Sequence, residues 1–148
     1  MLYDREAIKQ VLPHREPFLL IDTIEAIQDK TIIGTKQVTG DEFWVPGHFP
    51  QEPVMPGVLI CETIAQIGAF YVLSRPEYKG KIAYFGRMDK VRFKNKVVPG
   101  DLLRLEVTIG KMRGPVGFGE GKAYVGDKLC CSLEMTFAIG DADAGAKE

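Results

Sequence analysis

Two side chains able to move protons flank a stretch of backbone able to hold a negative charge. His48 and Glu62 lie on either side of Pro56-Gly57, where a loop stiffened by Pro50, Pro53 and Pro56 gives way to an apolar run from Val58 to Leu73. If that run is a helix, the N–H groups of Gly57 and Val58 at its start have no intrahelical acceptor and lie at its positive end. A histidine can take a proton from carbon, and a protonated carboxyl can give one to a departing hydroxyl. Free N–H groups can bind a carbonyl oxygen as it gains charge. Together these are the means of removing water from a β-hydroxy carbonyl compound.

Neither side chain decides the matter alone. A histidine beside a proline-rich loop is commonly bonded to backbone, and His14, next to Pro13 and Arg15, reads as structural. An unpaired carboxylate on an apolar helix costs several kcal/mol, so Glu62 needs a partner or a role. Arg87 or Arg92 could pair with it, and Gln66, one turn further on, could orient it.

The elements that must position these groups follow from the patterning. Asp4 caps a short helix reaching Leu12, and Pro13 ends it. Phe18–Ile27 and Thr31–Val38 read as a hairpin, and five further strands are expected at Ile82–Met88, Val91–Val98, Leu102–Met112, Gly119–Val125 and Leu129–Ile139. A helix apolar all round must be covered all round. The expected class is therefore α+β, a curved antiparallel sheet around a long central helix, with one sheet edge free for a second copy.

At 148 residues and 45% hydrophobic the chain suits one domain, expected over residues 1–140, with 141–148 as a disordered tail. A formal charge of −1 gives no pull toward nucleic acid or anionic membrane. The N-terminal residues do not read as a secretory signal, and Glu62 and Gln66 would be costly in lipid, so a cytoplasmic protein outside the membrane is expected. Cys61, Cys130 and Cys131 form no Cys-x-x-Cys pair and suggest reduced thiols rather than a zinc site. Gly117-Phe118-Gly119-Glu120-Gly121 lacks the lysine and hydroxyl of a phosphate loop and reads as a close-packed strand.

The chain resembles the FabZ-type (3R)-hydroxyacyl-acyl carrier protein dehydratases. The resemblance runs from about Leu12 to Ile139 through Leu12-Pro13-His14-Arg15, Pro17 to Asp22, Gly47-His48-Phe49-Pro50, Pro53 to Leu59, Glu62 with Ala65-Gln66, Arg92-Phe93-Lys94, Pro99-Gly100-Asp101 and Arg113-Gly114. It implies a hot-dog fold and a homodimer whose active sites are shared between subunits, assembled further as a trimer of dimers. It implies His48 and Glu62 as the catalytic pair, Gly57 and Val58 at the substrate carbonyl, Tyr84 at the tunnel mouth, and no metal or organic cofactor. The partner it implies is acyl carrier protein bearing a 3-hydroxyacyl thioester, in fatty acid biosynthesis. Glu16 and Trp44-Val45-Pro46 depart from the family pattern and bear on loop packing and chain-length preference.

An apolar tunnel could be lined by Ile60, Ile64, Ile67, Tyr84 and Phe85, although most of these also read as core. Lys90, Arg92, Lys94 and Lys96 would share one face of a strand and offer a basic surface to an acidic carrier. Three rivals share the resemblance: a thioesterase, which would use a carboxylate to activate water without the histidine; a non-enzymatic acyl-binding protein; and a dehydratase that also isomerises the double bond, which carries aspartate at the position of Glu62.

Overall fold

The computed structural model describes residues 1–141; of the tail expected over 141–148, all but Asp141 lies outside the described residues. Six strands form one antiparallel sheet in the order β1-β2-β4-β5-β6-β3. They are β1 (Thr23–Gln28), β2 (Thr31–Gln37), β3 (Lys81–Phe93), β4 (Leu102–Arg113), β5 (Val116–Val125) and β6 (Lys128–Asp141), with helices α1 (Arg5–Lys9) and α2 (Gly57–Leu73). This is the expected α+β hot-dog arrangement, and β6 carries one residue past the expected domain boundary.

α2 packs against β2, β3, β4, β5 and β6. Every residue from Thr63 to Phe70 is buried, so no face of those two turns meets water. The sheet reaches so close because its inward positions include glycines. A Cβ on Gly121 would collide with Ile64, one on Gly34 with Ile67, and one on Gly117 with Phe137 and Met112. The glycine-rich stretch of β5 is thus the close-packed strand expected, not a phosphate loop.

Three expectations change. The helix capped by Asp4, whose carboxylate accepts from Ala7 N–H at 2.9 Å, ends at Lys9 rather than Leu12; Val11 and Leu12 follow as a turn bonded to Ile8 O. Residues 18–22 do not join β1: the N–H groups of Phe18 and Leu19 turn back to Arg15 O, Arg5 donates to Leu19 O at 2.7 Å and Ile21 O at 2.8 Å, Gln66 binds Phe18 O and Leu20 N–H, and only Asp22 N–H reaches β2, at Thr35 O. A backbone group satisfied by a side chain has no need of a ladder partner.

The third change concerns β3. The two strands expected at Ile82–Met88 and Val91–Val98 are one long edge strand, irregular between Phe85 and Arg87 and between Asp89 and Arg92, with Lys90 at φ 52°. It stops at Phe93. Strand alternation therefore does not hold across Lys90, Arg92, Lys94 and Lys96, and the four do not share one face.

Candidate active site

Backbone bonds fix His48 within its loop. Trp44 O accepts from the N–H groups of Gly47 at 3.1 Å and His48 at 2.9 Å, while Val54 N–H donates to His48 O at 2.9 Å. The imidazole Nδ1 lies 2.8 Å from Val54 O. A carbonyl can only accept, so Nδ1 carries a proton, and in the neutral ring Nε2 has the lone pair. The ring stacks on Phe49, with centroids 4.2 Å apart, and the His48–Phe49 peptide is cis. His48 is thus held in the tautomer of a base, by an acceptor on its own loop.

His48 lines a cavity of about 450 Å³ together with Gly57, Val58, Phe93, Lys94 and Lys96. α2 opens here with Pro56 as its N-cap and no side-chain cap, so the first N–H groups remain available for an anion. A Cβ on Gly57 would lie 2.6 Å from Cε1 of Phe93, so a larger residue there would have to displace that exposed ring. A larger hollow, about 630 Å³, opens on the outer face of the sheet among Arg87, Thr108, Phe118 and Glu134. It has neither a histidine nor a helix N-terminus, so the smaller cavity is the one equipped for proton transfer and carbonyl binding.

Glu62 faces elsewhere. It does not line the His48 cavity, and neither does Tyr84, which sits half-exposed on β3 against Gly140. Nor do Arg87 or Arg92 bind Glu62; Arg87 pairs instead with Asp89 at 3.0 Å. Gln66 Nε2 donates to Glu62 Oε2 at 3.0 Å, so the expected orienting role of Gln66 is present in the geometry. Burial pushes the Glu62 carboxyl above its ordinary range, against the opposing pull of that bond. A shift in this direction favours the protonated form that a general acid needs.

The sequence reading did not foresee His14 in this neighbourhood. Its Nε2 lies 3.8 Å from Glu62 Oε2, its ring stacks on Phe18, and its Nδ1 is buried with no partner among the described residues. Burial, reinforced by Arg15, lowers its affinity for a proton while burial raises that of Glu62. Burial disfavours the charged form of both groups, which works against an ion pair at this contact. The signal was available in the sequence, in a histidine between Pro13 and Arg15, but its distance to Glu62 was not.

The remaining candidates divide. Lys94 and Lys96 border the His48 cavity, with Lys96 also 3.0 Å from Glu52, whereas Lys90 and Arg92 lie with Glu120 and Glu134 on another surface. Ile60 reaches the cavity, but Ile64 and Ile67 are fully buried core. Among the described residues no cluster of three or more His, Cys, Asp or Glu could hold a metal ion, and no helix is long and apolar enough to cross a membrane.

Residues 12–134 match the model of the FabA-like domain. The chain belongs to the FabA-like family. Among FabA-like relatives, the 3-hydroxyacyl-acyl carrier protein dehydratase FabZ of Staphylococcus epidermidis is 56% identical over 95% of this chain and 98% of its own. That of Moorella thermoacetica is 51% identical over 93% of this chain and 97% of its own. The FabA-like fold also resembles solved structures at lower identity. These include the dehydratase heterocomplex ApeI:P of Xenorhabdus doucetiae, with a TM-score of 0.78 at 18% identity over 95% of each chain. A hypothetical thioesterase with coenzyme A from Streptococcus pneumoniae gives 0.63 at 13% identity, over 80% of this chain and 84% of that one. At such identities the likeness speaks for the fold alone.

Proposed function

We propose that this protein is a (3R)-hydroxyacyl-acyl carrier protein dehydratase of fatty acid biosynthesis. It eliminates water from the 3-hydroxyacyl thioester to give the trans-2-enoyl product. The observation that carries the reading is the committed Nδ1 of His48, which leaves Nε2 as a base in the cavity where α2 begins. In the reaction Nε2 takes the α-proton, and the electrons of that C–H bond form the new double bond. The Cβ–O bond breaks, and the hydroxyl leaves as water with the proton of Glu62. Charge gathering on the thioester oxygen is met by the N–H groups of Gly57 and Val58. The histidine weighs against thioester hydrolysis as the main reaction.

Glu62 and His48 line no common cavity in one protomer, and a second copy supplies what is missing. Support comes from the surface: β3 is an edge strand, and Phe49, Val58, Val91 and Phe93 are apolar yet exposed around it and the cavity. In a homodimer paired along β3, the Glu62 of one subunit meets the His48 of the other, and Tyr84 stands at the tunnel mouth. Such dimers assemble further as a trimer of dimers. The acyl carrier protein docks at Lys94 and Lys96, and the enzyme works in the cytoplasm without a metal or organic cofactor, as a single domain with a short tail.

The deciding experiment incubates the protein with 3-hydroxyacyl-acyl carrier protein and separates enoyl, isomerised and hydrolysed products. Enoyl product is expected; free hydroxy acid as the main product would overturn the reading. Light scattering of the purified protein reads the assembly, where a monomer at micromolar concentration would contradict the shared site.

A further inference from the structure

Two buried charged groups have no part in the chemistry above. β2 alternates, and its inward positions are Ile32, Gly34 and Lys36, so a lysine stands in line with core residues. The Lys36 side chain is 11% exposed and that of Glu42 8%, with Nζ 3.4 Å from Oε2. The Glu42 carboxylate also accepts from the N–H groups of Thr39 at 2.8 Å and Gly40 at 2.9 Å and from Thr39 Oγ1 at 3.1 Å. Burial works against the charge on Glu42, but the two N–H groups and Lys36 outweigh it and hold the carboxyl below its ordinary value.

Beyond Glu42, Nζ of Lys36 lies 6.0 Å from the centre of the Trp44 ring, at the outer limit of a cation–π contact. Trp44 is itself buried, and its carbonyl receives the N–H groups of Gly47 and His48. A chain of contacts therefore leads from β2, a strand paired on both sides, through one cation, to the backbone that sets the imidazole.

We infer that Lys36, Glu42 and Trp44 form a brace that positions His48, with Lys36 as the strut between the sheet and the loop. A buried pair of this kind adds little stability over apolar groups of the same shape, so its geometry is the better reason for its presence. Lys36 and Glu42 touch no reacting atom; they act through Trp44. The inference rests on His48 as the base only for its kinetic arm.

The test replaces both charges at once, Lys36→Met with Glu42→Leu, so that no orphaned ion remains, and compares Lys36→Arg, which keeps the cation. Hydrogen exchange of the Gly47 and His48 amides is read beside that of Ile32 and Leu103 in the core. The brace predicts exchange at Gly47 and His48 faster by about tenfold or more, core amides unchanged, and protection recovered in Lys36→Arg. On 3-hydroxyacyl-acyl carrier protein, kcat falls by about ten- to a hundredfold in the double variant with KM little changed. A folded double variant with wild-type exchange at both amides overturns the brace. Should the double variant not fold, Trp44→Leu is read by the same exchange, with the same two outcomes. If the wild-type protein proves to lack dehydratase activity, faster exchange still supports the brace while the functional reading fails.

Discussion

Gln66 Nε2 lies 3.0 Å from Glu62 Oε2, and the same side-chain amide receives Leu20 N–H at 2.9 Å and donates to Phe18 O at 2.8 Å. One fully buried amide thus ties the proposed acid to the loop that carries His14 toward it. Each of its hydrogen-bonding groups is committed, so it can neither rotate nor flip without leaving a buried group unpaired.

Gln66→Met is expected to lower stability by about 2 kcal/mol or more, since Leu20 N–H and Phe18 O lose their partner inside the protein. Thermal or urea unfolding measures this. The variant also removes the bond that lowers the Glu62 proton affinity, so the alkaline limb of the rate profile should move to higher pH. A limb that stays in place would show that Gln66 does not act on Glu62.

His48→Ala and Glu62→Gln should each reduce dehydration by roughly a hundred- to ten-thousand-fold while leaving the fold intact. Turnover on 3-hydroxyacyl-acyl carrier protein, with circular dichroism as the control, reads both. Near-wild-type turnover in folded His48→Ala would refute the mechanism.

Glu62 also makes a prediction about stability and pH. Burial raises its folded proton affinity above the unfolded value, so its contribution is fully present below the unfolded pKa and lost as pH rises through the folded one. Replacing it by glutamine removes that loss. The melting temperature of Glu62→Gln relative to wild type should therefore climb between pH 4 and pH 8; a flat difference across that range counts against a raised carboxyl.

Gly121→Val places a side chain where Ile64 already lies. Overpacking of this kind costs about 1–3 kcal/mol, and a matching drop in unfolding free energy is expected. If stability is unchanged, the close approach of helix and sheet at that point is not what the structure describes.

Lys94→Glu with Lys96→Glu should weaken use of the carrier-bound substrate and spare small thioester analogues, whereas Lys90→Glu should affect neither. The ratio of kcat/KM values on the two substrate types measures it. Equal loss on both would mean that the two lysines serve the fold or the chemistry rather than docking.

Much of this architecture was legible before any coordinates. The run Val58–Leu73 could only be a covered helix, and the seven strands expected correspond to six in the structure, because two of them are one. Residues 18–22 were misread because their apolar character is that of a strand, while the backbone of Phe18 to Ile21 is held in good part by the side chains of Arg5 and Gln66, many residues away. Likewise the basic run from Lys90 to Lys96 kept its composition but lost its shared face once β3 twisted at Lys90 and stopped at Phe93.

The sequence by itself determined the chemistry on offer: a histidine, a glutamate and an uncapped helix start, in that order around Pro56-Gly57, and a family resemblance that the comparisons bore out. These are local facts of residue type and spacing. What only the tertiary structure decided were matters of distance and access: which nitrogen of His48 is free, that Gln66 and not an arginine holds Glu62, that His14 stands beside it, and that His48 and Glu62 face different spaces in one protomer. Proton affinity, tautomer and accessibility are set by neighbours brought in from distant parts of the chain, so no stretch of sequence contains them.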